Sequence, residues 1–121
     1  MQIELEHQDD VCVVRIRGRF VTGADPEYLR TKTDEIKSRN CTKVLTDLHE
    51  MPFIGSTGIG FVVSMYISVT KRAGGRFVLA GANHRVREVF DLTRLSTVIP
   101  LAADTASGLA VCGQSTRNIL M

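Results

Sequence analysis

The chain opens on strict alternation: Ile3-Glu4-Leu5-Glu6 has the period of two that a half-buried strand requires. Gln8-Asp9-Asp10 then predicts a turn, and the β-branched run Val11 to Arg17 a second strand, so the two pair as a hairpin. Thr22 to Asp25 reads as a loop, with Asp25 capping a helix whose first position is Pro26, where a missing N–H costs nothing. Leu29, Thr33 and Ile36 give that helix a narrow apolar stripe and one wet face. Val44-Leu45-Thr46-Asp47-Leu48 predicts a third strand and 49–55 a loop. A helix then starts at Ser56 or Thr57 and ends at Gly74-Gly75, with Lys71 and Arg72 in its last turn.

Arg76-Phe77-Val78-Leu79-Ala80 is the next strand, and Asn83 caps a third helix in which Val86, Val89 and Phe90 share a face. Thr97-Val98-Ile99 is expected as a last short strand before Pro100, and Asp104 as the cap of a fourth helix. The domain is bounded at residues 1–112, with 113–121 as a flexible C-terminal tail. Strand–helix alternation after residue 43 implies parallel strands with right-handed crossovers. The expected architecture is α/β: one domain, a mixed and mostly parallel sheet with an antiparallel N-terminal edge, packed by about four helices.

Composition narrows the function classes. The 121 residues suffice for one domain, and an apolar fraction of 44% with 23% charged residues is ordinary for a globular chain. A formal net charge of +2 is too small a footprint for nucleic acid or an anionic membrane, and without Trp a base-stacking platform is not expected. The most apolar stretch, Ile59 to Val69, is too short to span a bilayer and holds Ser64 and Ser68. Met1 leads directly into polar, acidic sequence, so a signal peptide is not expected and a cytoplasmic location is. Cys12, Cys41 and Cys112 are far apart, odd in number and free of a Cys-x-x-Cys motif, with no histidine at metal-ligand spacing. Cys12, inside an apolar run, reads as a reduced core thiol, and neither metal nor cofactor is expected.

One constellation stands out. Pro52-Phe53-Ile54-Gly55-Ser56-Thr57-Gly58-Ile59-Gly60 joins a strand to a helix, where functional sites of open α/β sheets gather. Its hydroxyls sit where the first free amides of a helix point outward, a sound home for a phosphate on Ser56, with Thr57 as second choice. The alternative is plain: Ser and Thr are ordinary helix caps, and glycines ordinary turn residues. The glycines at 55, 58 and 60 do not fit the dinucleotide fingerprint, and no Gly-Lys-Ser/Thr follows. Two apolar stripes on the next helix point to burial on two sides; the sharper alternative sets Phe61 and Met65 at the surface as partner contacts beside Gly55, Ser56, Thr57 and Gly58. Ser56 has no His–Asp relay in reach of sequence reasoning, and His49 reads as an exposed loop residue, so an enzyme is not expected.

Several stretches together resemble the STAS domain of sulfate transporters and anti-sigma factor antagonists. They are Val13-Val14-Arg15-Ile16-Arg17-Gly18, Val44 to Leu48, Phe53 to Gly60, Ala73 to Leu79 and Val86 to Leu95, across roughly residues 3 to 112. A free-standing chain of this size is similar to an anti-sigma factor antagonist. The resemblance implies phosphorylation of Ser56 by a partner kinase with a histidine-kinase-like ATPase fold that is itself the anti-sigma factor. The unphosphorylated form then binds that kinase, phosphorylation releases it, and a PP2C-type phosphatase restores binding. Gly55 is a departure, standing where the family has Asp. A constitutive, non-phosphorylated role in a lipid-transport system or a stressosome-like scaffold therefore stays open beside the switch.

Overall fold

The computed structural model describes residues 2–8, 10–18, 26–39 and 41–120. The loop and the Asp25 cap expected before the first helix lie outside them. Strand β1 (Gln2–Gln8) pairs antiparallel with β2 (Val11–Arg17) in the hairpin that the alternation predicts. β3 (Lys43–Asp47), β4 (Arg76–Ala80) and the two-residue β5 (Leu101–Ala102) add in parallel, giving the order β1-β2-β3-β4-β5. The helices are α1 (Pro26–Ser38), α2 (Ser56–Thr70), α3 (His84–Leu92) and α4 (Thr105–Leu120).

Alternation within each strand decides which layer a side chain joins. Cys12, Val14, Ile16, Val44, Phe77 and Leu79 meet Leu29 and Ile36 of α1, Phe61, Val62, Met65 and Val69 of α2, and Val86 and Phe90 of α3 in one core. Val11, Val13, Leu45, Val78 and Ala80 form a smaller core on the opposite face with Cys112 of α4. The three crossover helices thus share one face and α4 covers the other, so β3 and β4 are buried on both sides, β3 even at the polar Thr46 and Asp47. Gly108 brings α4 close to this face: a Cβ there would overlap Leu45 Cδ1 and press on Ala80.

The hairpin carries charge where α4 does not cover it. Glu6 pairs with Arg15, Arg15 reaches Asp47, and Arg17 joins Glu4 to Glu50 across 3.2 and 2.7 Å. The amide of Ile3 in β1 donates to the Tyr28 hydroxyl of α1 at 2.9 Å.

The expected strand Thr97–Ile99 is not formed. Arg94 takes a left-handed conformation after α3, and Leu95–Thr97 turns as a 3-10 helix. The amides of Val98 and Ile99 both return to the Leu95 carbonyl, so they have no donor left for a ladder. Pairing with β4 begins only at the Pro100 carbonyl, which accepts from Leu79 N–H, and β5 follows. The long helix α2 stops at Thr70, earlier than Gly74-Gly75. Lys71 is its cap and Arg72 lies beyond it, while Gly74 carries the positive φ of the following turn. α4 keeps helical backbone past Gly113, where the sequence reading began a tail. Cys12 and Cys41 are joined as a disulfide, which corrects the expectation of a reduced Cys12.

Candidate functional site

The loop between β3 and α2 is shaped by residues that fold back on themselves. Asp47, buried at the end of β3, accepts from the His49 amide at 3.0 Å and from His49 Nδ1 at 3.0 and 3.1 Å. Burial alone pushes its carboxyl up, but the two His49 bonds and the charges of His49 and Arg15 outweigh that and hold it below the usual carboxylate range. His49 is therefore engaged with Asp47 and is the exposed loop residue that the sequence predicts. Gly81, at φ +75, permits the turn beside it: a Cβ would stand 2.8 Å from His49 Cβ.

Met51 and Ile54 anchor the loop in the core, and between them Phe53 is turned outward with 44% of its surface exposed. Asn83 ties this loop to α3. Its Oδ1 accepts from Val86 N–H at 2.9 Å as the helix cap, and its Nδ2 donates to the carbonyls of Met51 and Pro52 at 3.4 and 3.2 Å. The cap was legible in the sequence; the grip on the loop was not.

Ser56 is the first residue of α2 and is exposed. It is not the cap. That position belongs to Gly55, at φ −103 and ψ −173, whose carbonyl accepts from Ile59 N–H and which has no side chain to hold the first amides. The amides of Ser56, Thr57 and Gly58 lie in the turn where intrahelical acceptors do not exist, at the positive end of the helix dipole. Thr57 is half-buried and Gly58 buried, so of the two hydroxyl residues Ser56 is the more accessible.

Phe61 and Met65 do not face solvent. They are 6% and 1% exposed and belong to the main core, which corrects their placement as surface contacts; α2 is buried on two sides because α1 and the sheet both pack on it. The stripe that does face outward runs Ser56, Gly60, Ser64 and Ile67, at spacings of four, four and three residues. Ile67 is 55% exposed, and a Cβ built on Gly60 meets nothing within 4 Å. The exposed large apolar residues of the β3–α2 loop and of α2 are thus Phe53 and Ile67, not Phe61 and Met65. Among the described residues, no helix is long and apolar enough to cross a membrane.

The STAS domain family matches residues 2–108, which takes in the five-stranded sheet and the three crossover helices. The chain belongs to that family. An anti-sigma F factor antagonist of Paenibacillus polymyxa is 26% identical over 110 residues, 90% of this chain and 92% of the relative. Among solved structures, an anti-sigma factor antagonist from Mycobacterium paratuberculosis superposes with a TM-score of 0.80 at 22% identity, covering 92% of each chain. The anti-sigma factor antagonist SpoIIAA in its unphosphorylated form gives a TM-score of 0.71 at 21% identity, over 93% of this chain and 97% of its own.

Proposed function

We propose that this chain is an anti-sigma factor antagonist that acts as a phosphorylation-controlled binding switch in the cytoplasm, with no chemistry of its own. The unphosphorylated form binds an anti-sigma factor that is also a serine kinase of the histidine-kinase-like ATPase fold. Phosphate on Ser56 releases it, and a PP2C-type phosphatase resets the switch. The observation that carries this reading is the exposed Ser56 at the first position of an α2 whose cap has no side chain. A phosphate there meets unclaimed amides and the helix dipole, so it is locally favoured while adding charge to a docking surface. The names of the similar proteins support the antagonist role.

The test pairs two variants. Ser56→Ala removes a hydroxyl that caps nothing, so it should bind the kinase and resist phosphorylation; Ser56→Asp should bind more weakly, because its carboxylate must be desolvated or repelled on docking. Calorimetry that gives equal affinities for the two would sink the switch. Gly55, in place of the family's Asp, favours a second reading: a constitutive subunit of a stressosome-like scaffold or lipid-transport system. Intact mass after incubation with the kinase and Mg-ATP separates them, since a scaffold would stay unmodified and co-purify with its assembly.

A further inference from the structure

His7 and Cys12 are register partners across the hairpin, so both side chains leave the sheet on one face. Cys41, in the segment leading into β3, reaches the same spot, and its Cα lies 6.1 Å from that of Cys12. The donor atoms of the three side chains all fall within 4.8 Å of one another, with His7 Nδ1 at 3.7 Å and Nε2 at 3.9 Å from Cys12 Sγ. Both cysteines are buried, with 2% of Cys12 and 6% of Cys41 exposed, whereas His7 is exposed. Cys12 pairs with Val44 at the start of β3, and Cys41 packs near Val69 and Arg72 at the far end of α2. The cluster therefore lies at the opposite end of the sheet from Ser56.

We propose that Cys12 and Cys41 form a reversible thiol–disulfide site, oxidised by small hydroperoxides, with His7 as the base that readies Cys12. Burial restricts the oxidant to a small one, and an imidazole beside a thiol favours the nucleophilic thiolate. His7 takes the Cys12 proton and the thiolate attacks one peroxide oxygen. The O–O bond breaks, an alcohol or water departs with that proton, and Cys12 becomes a sulfenic acid. The Cys41 sulfur then attacks the Cys12 sulfur; the S–O bond breaks, the S–S bond forms, and hydroxide leaves with the Cys41 proton as water. Two thiols lose two electrons and the peroxide gains them. A core of this extent on both faces of the sheet does not need a cross-link to hold it, so reduced and oxidised forms both fold. The bond closes a loop with a sequence separation of 29, which constrains the unfolded chain and raises the melting temperature. The site works independently of Ser56.

The experiment treats dithiothreitol-reduced protein with hydrogen peroxide and follows intact mass, peptide maps and melting. The expected result is a loss of two hydrogens, a Cys12–Cys41 link in the map, reversal by dithiothreitol under native conditions, and a melting temperature roughly 10 °C higher for the oxidised form. Cys41→Ser should instead retain one oxygen on Cys12, trapped by dimedone. His7→Gln should oxidise about 10²-fold more slowly and keep the same melting difference between its two forms. A pair that peroxide leaves unlinked, or that native dithiothreitol cannot open, overturns the proposal. So does a reduced protein that takes up one equivalent of Zn²⁺ and shows thiolate charge transfer with Co²⁺, because the cluster would then be a metal site. Oxidation of His7→Gln at the wild-type rate removes His7 from it.

Discussion

Asn83 caps α3 with one end of its amide and holds the Pro52 carbonyl with the other, so the surface that presents Ser56 is braced by a helix that does not contain it. Asn83→Ala should cost about 1 kcal/mol of stability through the lost cap. It should also raise amide exchange across residues 51–55 beyond what the global loss accounts for. Equal exchange in that loop for wild type and variant, measured by mass spectrometry, would reduce Asn83 to a cap alone.

Gly55 sits at a φ that any residue adopts, so the family's Asp is accommodated by the backbone as it stands. An aspartate at this N-cap would accept from the amides of α2, and Gly55→Asp should gain a few tenths of a kcal/mol in stability. A carboxylate beside the reacting hydroxyl can also orient it or accept its proton, help typically worth about 10²–10⁴-fold when it acts as a base. Single-turnover phosphorylation of Ser56 should be faster in Gly55→Asp than in wild type. A wild type that reacts as fast shows that the kinase supplies what the missing carboxylate would.

Phe53 and Phe61 are near in sequence and opposite in burial. Phe61→Ala should destabilise the domain by about 3–5 kcal/mol, the range for emptying a phenylalanine site in a packed core. Phe53→Ala should change stability by well under that and weaken docking of the kinase instead. Denaturant unfolding and calorimetry on the pair separate the two roles. Phe53→Ala binding at wild-type affinity would exclude this ring from the interface.

Asp47 ties stability to acid. Its carboxyl is held below 3.8, the ordinary value, so it contributes stability at neutral pH that disappears as pH falls through the depressed folded-state value. The unfolded chain binds the proton more readily there, and stability therefore rises with pH across that window. Asp47→Asn should lower stability at pH 7 by about 1–3 kcal/mol, since the His49 donors lose a charged acceptor. It should also flatten the acid limb of the stability–pH curve. An unchanged acid limb would assign the acid sensitivity to other carboxylates.

Local chemistry made much of this fold readable. Asn83 and Asp104 announce their helices because a short polar side chain is the cheapest partner for a free helical amide, and both make that bond. The alternation of Ile3 to Glu6 and the strands expected at Val44 and at Arg76 to Ala80 likewise appear in the folded sheet. What failed depended on partners distant in sequence. Thr97–Ile99 has strand-like residues, but Arg94 and Pro100 set its backbone. For Phe61 and Met65 the two apolar stripes leave burial and a surface role both open, and the packing of α1 and the sheet decides for burial. Cys12 and Cys41 meet only because the β2–α1–β3 crossover returns the chain to the same end of the sheet, a fact no local spacing encodes.

The bond from Ile3 N–H to the Tyr28 hydroxyl has a meaning for the protein among other proteins. β1 is the outer strand of the sheet, and an outer strand offers its outward amides to any extended peptide that drifts alongside. At Ile3 that offer is withdrawn, because the Tyr28 hydroxyl of α1 already accepts from the amide. The donor so engaged lies at the end of the sheet where Arg17 links Glu4 to Glu50, so the outer strand is shielded at the same end that carries the loop before Ser56.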